Sequence, residues 1–253
     1  MDKTLLKGLM VLEAISKLDE QPRSLDQIAE IVGLTRSNTH RTLQTLAHAG
    51  YVVKEPDPGG YRCTFKMFEL GAQQIAGLDV RKLAAPIMRQ LAEATSETVH
   101  LSVLEGADVI YIDKLDSPKP IRAYSAIGGR APAYAVATGK ALLAFESPDY
   151  LNRFPEQLEQ HTAITLPSLK ALKVELAKIS RQGFAVNRGE WRDGVGGIAA
   201  PVFNGLDKPI AALGISGPLE GLSVAAMRKF APIVLRAAQD LSKSLGYRGT
   251  RYS

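Results

Sequence analysis

Apolar positions in the first 65 residues repeat at helical spacing and are interrupted by residues that begin or end helices. Ser24 can cap a short helix, and Gly33 can end it in a left-handed conformation at little cost. Its apolar positions are Leu25, Ile28, Ala29, Ile31 and Val32. A following helix, capped by Thr35 or Ser37, extends to Gly50. Its apolar positions are Leu43, Leu46 and Ala47.

A further helix and a pair of strands flank these two helices. The preceding helix, which Thr4 would cap, carries a wide apolar stripe that should pack across the other two. The stripe consists of Leu5, Leu6, Leu9, Met10, Leu12, Ile15 and Leu18. Residues 51–53 and 61–64 are predicted strands, joined by the turn sequence EPDPGG at residues 55–60. Three helices followed by a two-stranded wing predict a winged helix-turn-helix.

The helix that begins near Thr35 has a composition suited to contact with DNA. Between Thr35 and Gly50 there is no acidic residue. Its first turns carry hydrogen-bond donors and cations, which a helix needs in order to contact phosphates and base edges in the major groove. These side chains are Arg36, Ser37, Asn38, His40 and Arg41. The overall charge is weaker evidence for DNA binding. Residues 1–70 contain nine Lys and Arg and nine Asp and Glu, so the net charge of +5 comes from the rest of the chain. The prediction therefore depends on the local composition of this helix.

The 253 residues are enough for a small domain and a larger one. After the wing, residues 66–78 are predicted to form a linker helix between the two. We therefore expect a DNA-binding domain at residues 1–65, the linker helix at 66–78, and a second domain at 79–253.

The second domain mixes strands and helices, which indicates an α/β (α+β) class with one mostly antiparallel sheet flanked by helices. The predicted strands span 97–104, 109–115, 121–126, 184–187, 198–203 and 210–216, and the predicted helices span 80–95, 138–145, 168–182 and 223–245. Residues 128–132 and 193–197, which contain several glycines, are predicted to be loops.

Several other classes of function are disfavoured by the sequence. No apolar run reaches the roughly 18 residues of a membrane span, and the charged N-terminus is unlike a signal peptide. A single cysteine fits the reducing cytoplasm. Because the four histidines are scattered, no metal site is predicted, and we expect no cofactor. An enzyme, such as a hydrolase, is the alternative reading, but Thr138-Gly139-Lys140 lacks a complete phosphate loop and Gly214–Gly217 lacks a complete nucleophile elbow.

Five blocks of sequence resemble the IclR family of bacterial transcription regulators, in the same order and over nearly the whole chain. They are GLTRSNTHRTLQTLAHAGYV, ETVHLSVLEGADVIYIDKLDS, GGRAPAYAVATGKALLAF, GVGGIAAPVFN and ALGISGP. The resemblance implies a winged helix-turn-helix, a linker helix and a GAF-like or profilin-like effector domain. It also implies a homodimer through the DNA-binding domain, often a homotetramer, that binds operators with dyad symmetry and responds to a small organic acid or related metabolite.

The resemblance also implies functional residues by position. The predicted DNA-contacting set is Ser24, Thr35, Arg36, Ser37, Asn38, His40, Arg41 and Arg62. Thr39 replaces a core aliphatic residue of the family, and its methyl group can fill that place.

The effector pocket implied by the family is lined by Pro120, Ala123, Gly128, Ala137, Thr138, Asn187, Val195, Gly197 and Ser216. Trp191, beside the glycine-rich loop, is either a surface cover at the pocket mouth or a stacking wall for a ring-shaped ligand. Family members that sense keto acids often carry an acid near Asn187 and a cysteine near Gly197. The amide and glycine found here predict a roomier pocket and favour a larger ring or sugar-derived acid over glyoxylate or pyruvate.

Overall fold

The computed structural model describes residues 1–16, 23–56, 59–76, 79–121 and 125–251, without the side chains of residues 72–76 and 79. The chain divides into two compact units, residues 1–77 and 78–253. Each unit has its own apolar core, so the two are described separately.

Unit 1 contains four helices and a two-stranded antiparallel wing among its described residues. The elements are α1 (Lys3–Ser16), α2 (Leu25–Val32), α3 (Arg36–His48), β1 (Val52–Lys54), β2 (Tyr61–Cys63) and α4 (Lys66–Ala76). In the wing, Val53 lies opposite Arg62. The predicted winged helix-turn-helix is therefore present.

Both ends of α2 and the start of α3 form as their sequences predict, whereas α3 ends at His48 rather than at Gly50. Ser24 and Gln27 form a reciprocal capping box at the start of α2, and Gly33 ends that helix with a φ of +64°. Thr35 caps α3 by accepting the N–H of Asn38 at 3.3 Å. Of the two candidates for this cap, the structure therefore selects Thr35.

The prediction for the start of α1 was wrong. The Asp2 carboxylate accepts the backbone N–H groups of Thr4 at 2.8 Å and Leu5 at 3.2 Å. Asp2 therefore caps the helix, since an acidic side chain just before the first turn is a stronger acceptor than the Thr4 hydroxyl. The predicted stripe residue Leu18 and most of the loop after it lie outside the described residues.

The core of unit 1 is narrower than the apolar stripes suggest. Its buried members are Val11, Leu12, Ala14, Ile15, Ile28, Val32, Leu43, Val52 and Tyr61. Ile31 of α2 is half exposed, contrary to its predicted place. One side of α1 is also exposed on the single chain, through Leu5, Leu6, Leu9 and Met10. The helix consequently buries only its C-terminal half within this unit.

Unit 2 is an antiparallel sheet with helices on both faces. Its helices are α5 (Asp79–Thr95), α6 (Ala137–Leu143), α7 (Pro148–Leu151), α8 (Leu169–Gln182) and α9 (Val224–Ser244). Its strands are β3 (Thr98–Glu105), β4 (Asp108–Leu115), β5 (Arg130–Pro132), β6 (Ala185–Arg188), β7 (Val195–Phe203) and β8 (Pro209–Pro218). The sheet order is β5-β4-β3-β8-β7-β6, with every pair antiparallel. The predicted fold class is confirmed.

The two faces of the sheet have separate cores. Helices α6 and α8 pack in one core, with Leu142 and Leu172 fully buried. Helices α5 and α9 pack in the other core, with Met88 and Val234 fully buried. Burial of these apolar side chains on both faces supplies the main stabilisation of the unit.

Three local predictions in unit 2 need correction. Arg130–Pro132 is a strand rather than a loop, because its backbone pairs with β4. The predicted loop at 193–197 is shorter, since Val195–Gly197 already pair with β8. Ile121, Ser125 and Ala126 of the predicted strand 121–126 are not in a strand, and residues 122–124 lie outside the described residues.

Helix α6 is the most enclosed element of unit 2. All seven of its residues are buried. Gly139 allows it to lie against the segment before it, because a Cβ at this position would be 2.2 Å from the carbonyl oxygen of Ala133. This close approach is possible only without a side chain.

We predict that Gly139→Ala destabilises unit 2 by about 2–3 kcal/mol, since the added methyl group meets backbone that cannot rotate away. Trp191 is the only tryptophan and lies in unit 2, so its emission during denaturant unfolding measures this change. Gly71→Ala in α4, where a Cβ meets nothing within 4 Å, should leave the Trp191 transition unchanged. Equal midpoints for Gly139→Ala and the parent would refute the packing argument.

Candidate effector cavity and DNA-contacting surface

A small cavity of about 50 Å³ lies in unit 2 at the start of α6. Seven of the predicted effector residues line it, namely Ala137, Thr138, Asn187, Trp191, Val195, Gly197 and Ser216. Pro120 and Gly128 are not among its lining residues, and Ala123 lies outside the described residues. The residues carried over by family resemblance thus meet, for the most part, at one place.

The cavity also contains polar residues that sequence reasoning did not assign to it, chiefly His100, Tyr111, Ser125 and Arg192. His100 is on β3 and lies opposite Gly214 of β8, while Ser216 is two residues further along β8. Opposite and diagonal residues of an antiparallel pair face the same side of the sheet. The alternation within the block ETVHLSVL could therefore have placed His100 beside Ser216 once the strand pairing was known.

His100 joins two hydroxyl groups at the floor of the cavity. Its Nε2 lies 2.6 Å from the Ser216 Oγ, and its Nδ1 lies 3.4 Å from the Ser125 Oγ. Burial lowers the pKa of His100 to about 4, helped by the Lys114 charge and opposed by Asp116. The ring is therefore neutral at pH 7 and can both donate and accept a hydrogen bond.

The other polar groups are donors at neutral pH. Burial raises the pKa of Tyr111 to about 12, against the influence of the Arg192 charge, so its hydroxyl stays protonated. The Thr138 Oγ1 is buried and has no hydrogen-bond partner among the described residues. The Arg192 guanidinium lies 4.3 Å from the centroid of the Trp191 ring. Because no acidic side chain of the described chain lines the cavity, the site suits an anion.

The expectation of a roomier pocket was wrong. Asn187 is occupied, since its Oδ1 accepts the N–H groups of Gly189 at 3.0 Å and Glu190 at 2.9 Å. Gly197 leaves no free space either, because a Cβ there would lie 2.8 Å from the Ile215 carbonyl oxygen. Asn187 and Gly197 therefore do not enlarge the cavity, because backbone groups occupy the space beside them. At about 50 Å³ the cavity holds one or two water molecules rather than an organic ring.

On unit 1, the start of α3 forms an exposed polar surface. Arg36, Ser37, His40 and Arg41 are exposed, while Asn38 is half-buried and accepts a hydrogen bond from Arg41 at 3.1 Å. This is the orientation that contact with a DNA groove needs.

The remaining predicted DNA-contacting residues already have partners within unit 1. Ser24 and Thr35 act as helix caps, and Arg62 on the wing forms an ion pair with Glu55. Arg36 likewise forms an ion pair with Asp26 of α2. A carboxylate of the neighbouring helix thus contacts the first cation of α3.

Thr39 occupies the core position expected for it. Its side chain is fully buried, and its hydroxyl donates to the Thr35 carbonyl at 3.0 Å. The methyl group therefore faces the core without leaving a buried polar group unpaired.

The features that suggested an enzyme have structural roles. Lys140 is buried in an ion pair with Glu190, and Ser216 is inside strand β8 rather than on a strand-to-helix turn. Among the described residues there is no cluster of three or more potential metal ligands. None of the described helices is long and apolar enough to span a membrane.

Two family profiles cover most of the chain. The IclR helix-turn-helix domain matches residues 4–56, and the C-terminal domain of the bacterial transcriptional regulator IclR matches residues 72–243. Such a combination defines a DNA-binding transcription regulator with an effector-binding domain, not an enzyme. The chain belongs to the IclR family.

Individual relatives agree with this assignment. The chain is 34% identical to the HTH-type transcriptional regulator KdgR of Escherichia coli over 246 residues, which covers 96% of this chain and 93% of KdgR. The crystal structure of the Thermotoga maritima IclR superposes with a TM-score of 0.80 at 29% identity, covering 96% and 99% of the two chains. An IclR homolog from Microbacterium hydrocarbonoxydans, complexed with 4-hydroxybenzoate, gives 0.83 at 25% identity, covering 96% and 99%.

The depressed pKa of His100 predicts a pH dependence of stability. Above about pH 6.5 the ring is neutral in both the folded and unfolded chain, whereas between about pH 6.5 and 4 only the unfolded chain takes up the proton. Stability should therefore fall as the pH is lowered through this window, by up to about 3 kcal/mol from this residue.

His100→Gln removes the titrating group and should reduce the loss of unfolding free energy between pH 7 and pH 5 by about 2 kcal/mol. Urea unfolding followed by Trp191 emission at both pH values measures the difference. The variant is compared with the parent protein, so that the contribution of all other titrating groups cancels. The same pH dependence in both proteins would contradict a buried, neutral His100.

Proposed function

We propose that this protein is a ligand-responsive, sequence-specific regulator of a catabolic operon that senses a small organic acid or related metabolite. The observation that carries the proposal is the cavity at the start of α6. It combines a buried, unpartnered Thr138 hydroxyl with the protonated Tyr111 hydroxyl and the Arg192 guanidinium, and none of its described lining residues is acidic. A carboxylate would find donors and a positive charge there.

The residues that line this cavity, although not its present volume, suit an effector with a ring or a sugar-derived skeleton. Trp191 offers a flat face to such a ligand, and Arg192 lies beside it to pair with a carboxylate. The 4-hydroxybenzoate bound by the Microbacterium homolog supports a ring acid as one member of this class. Because the cavity is now about 50 Å³, such a ligand requires residues 191–192 to move outward.

For DNA binding, we propose that α3 enters the major groove with Arg36, Ser37, Asn38, His40 and Arg41 at its leading end. Ser24, Thr35 and Arg62 would then approach the phosphates. The exposed apolar side of α1 supports a homodimer through unit 1, since a stripe of this kind is normally covered by a partner. Two copies would bind an operator with dyad symmetry, and pairing of dimers would give a tetramer. Such a protein acts in the cytoplasm.

We further propose that the effector signal passes through residues 66–78. In this scheme residues 1–65 are the DNA-binding domain and residues 79–253 are the effector-binding and oligomerisation domain. Effector binding shifts the population of states of the larger domain, and the linker helix converts the shift into a changed spacing of the two winged helices. Because half-sites are read about 34–36 Å apart, a small change in spacing alters occupancy.

Calorimetry with a panel of organic acids tests the effector proposal. The panel includes 4-hydroxybenzoate, sugar-derived acids, pyruvate and glyoxylate. We expect the tightest binding from a ring or sugar-derived acid, accompanied by a change in Trp191 emission as the cavity enlarges. Tightest binding of pyruvate or glyoxylate would refute the proposed class.

Thr138→Val keeps the shape of the side chain and removes the hydroxyl, so the acid that binds tightest should bind about tenfold more weakly. Ser244→Ala, which removes an exposed hydroxyl at the end of α9, serves as the control and should bind as the parent does. Unchanged affinity in Thr138→Val would exclude a contact between this hydroxyl and the ligand.

Arg36→Ala tests the DNA-binding proposal. If Arg36 contacts a base, the variant should lose about 1–3 kcal/mol of discrimination between the operator and unrelated DNA. Fluorescence anisotropy with a labelled fragment of the promoter region, measured at several salt concentrations, gives both affinities. Lys3→Ala removes an equal charge from α1 and should keep the discrimination. An Arg36→Ala variant with the specificity of the parent would show that α3 docks differently.

A further inference from the structure

A second, larger cavity of about 460 Å³ lies in unit 2 beside β6, which is an edge strand of the sheet. Side chains reach it from both faces of the sheet, because α8 contributes from one face and α9 from the other. Its apolar wall consists of Leu166, Phe184, Val186, Val224 and Met227. A cavity of this size is within the range that small-molecule ligands occupy.

The charges around this cavity are unequal. Lys140, Lys178, Arg188 and Arg228 contribute four positive charges, and Glu175 and Glu190 contribute two negative ones. Glu190 is committed to Lys140, which is almost fully buried and needs a counter-ion. Among the described residues, none forms an ion pair or a side-chain hydrogen bond with the other three cations. Three unpaired cations therefore share the cavity with one unpaired carboxylate.

The three unpaired cations come from three different elements. Lys178 is on α8, Arg188 is on β6 and Arg228 is on α9. All three residues are exposed, and an anion held at the cavity would be attracted by each of them. An apolar wall beside them accommodates a short hydrocarbon segment. The net excess is two positive charges, so a single monovalent anion would leave half of it unbalanced.

From this geometry we infer a second ligand site, separate from the effector cavity, that binds a small organic anion with two or more negative charges. Lys178, Arg188 and Arg228 bind the anionic groups, and the apolar wall holds the carbon skeleton. Because Glu175 also lines the cavity, the site excludes ligands whose negative charges would lie next to this carboxylate. The inference does not depend on the proposed effector or operator.

The second site shares structural elements with the effector cavity. Lys140 follows Thr138 by two residues on the fully buried α6, so the same helix lines both cavities. On the other side, Asn187 lines the effector cavity while its Oδ1 accepts the N–H of Glu190 at 2.9 Å. An anion bound at the second site lies beside the Lys140–Glu190 pair, and Glu190 is hydrogen-bonded through its N–H to Asn187 in the wall of the effector cavity. The two sites are coupled through α6 and the 187–190 turn.

Calorimetry on the full-length protein, without DNA or effector, tests the site with citrate and pyrophosphate as probes. Ionic strength is held constant with sodium chloride. We expect saturable binding of at least one probe to the parent protein. The double variant Lys178→Ala/Arg228→Ala should bind it roughly tenfold more weakly, since two of the three unpaired cations are removed.

The matched control is Arg181→Ala/Lys229→Ala. It removes the same total charge from exposed positions of the same two helices, α8 and α9, outside the cavity. We expect it to bind the probe as the parent does. Absence of saturable binding to the parent, or equal weakening in the two double variants, would overturn the proposed site.

Trp191 emission tests the coupling in the same titration. Because Trp191 lines the effector cavity and not the second one, a probe bound near Lys178 and Arg228 changes its emission only through the shared elements. We expect a saturable change with the calorimetric affinity, and its loss in Lys178→Ala/Arg228→Ala. Calorimetric binding with constant Trp191 emission would overturn the coupling.

Discussion

The organisation of unit 2 depends on the ion pair between Lys140 and Glu190. Helix α6 is buried along its entire length, and Lys140 lies in its middle. A charged lysine is tolerated there because Glu190 supplies its counter-ion. The pair ties the helix to the turn after β6, and Gly139 presses the helix against the segment before it. These two contacts hold α6 in place. A ligand on either side of it meets a surface whose position is set by charge as well as by packing.

Much of unit 1 could be predicted from the sequence because its signals are local. The capping box at Ser24 and the left-handed conformation of Gly33 involve contacts between residues only a few positions apart. They therefore do not depend on how distant parts of the chain pack. The signal at the start of α1 is also local, but Asp2 and Thr4 compete for the cap, and the Asp2 carboxylate is the better acceptor. The exposed half of α1 could not be predicted, since an apolar stripe indicates a buried face without indicating what covers it.

Only part of the lining of the candidate effector cavity could be predicted, because some of its residues come from distant segments. Family resemblance identified residues near α6 and β7, but His100 and Tyr111 enter through strand pairing between distant segments. Its size could not be obtained from residue types at all. Gly197 suggested free space, whereas the backbone of β8 occupies that space. Volume in a packed interior depends on the register of neighbouring strands, which one residue does not reveal.

The contact between Arg36 and Asp26 has a consequence for the proposed docking of α3 on DNA. In that docking, the Asp26 carboxylate of α2 contacts Arg36 where a phosphate or a base edge would contact it. DNA binding at this position is then an exchange of one anionic partner for another, and it releases fewer counterions than the charge of Arg36 alone would suggest. The exchange favours a site that offers Arg36 better geometry than Asp26 does. Under the proposed docking, Asp26 would therefore compete with the phosphate backbone for Arg36.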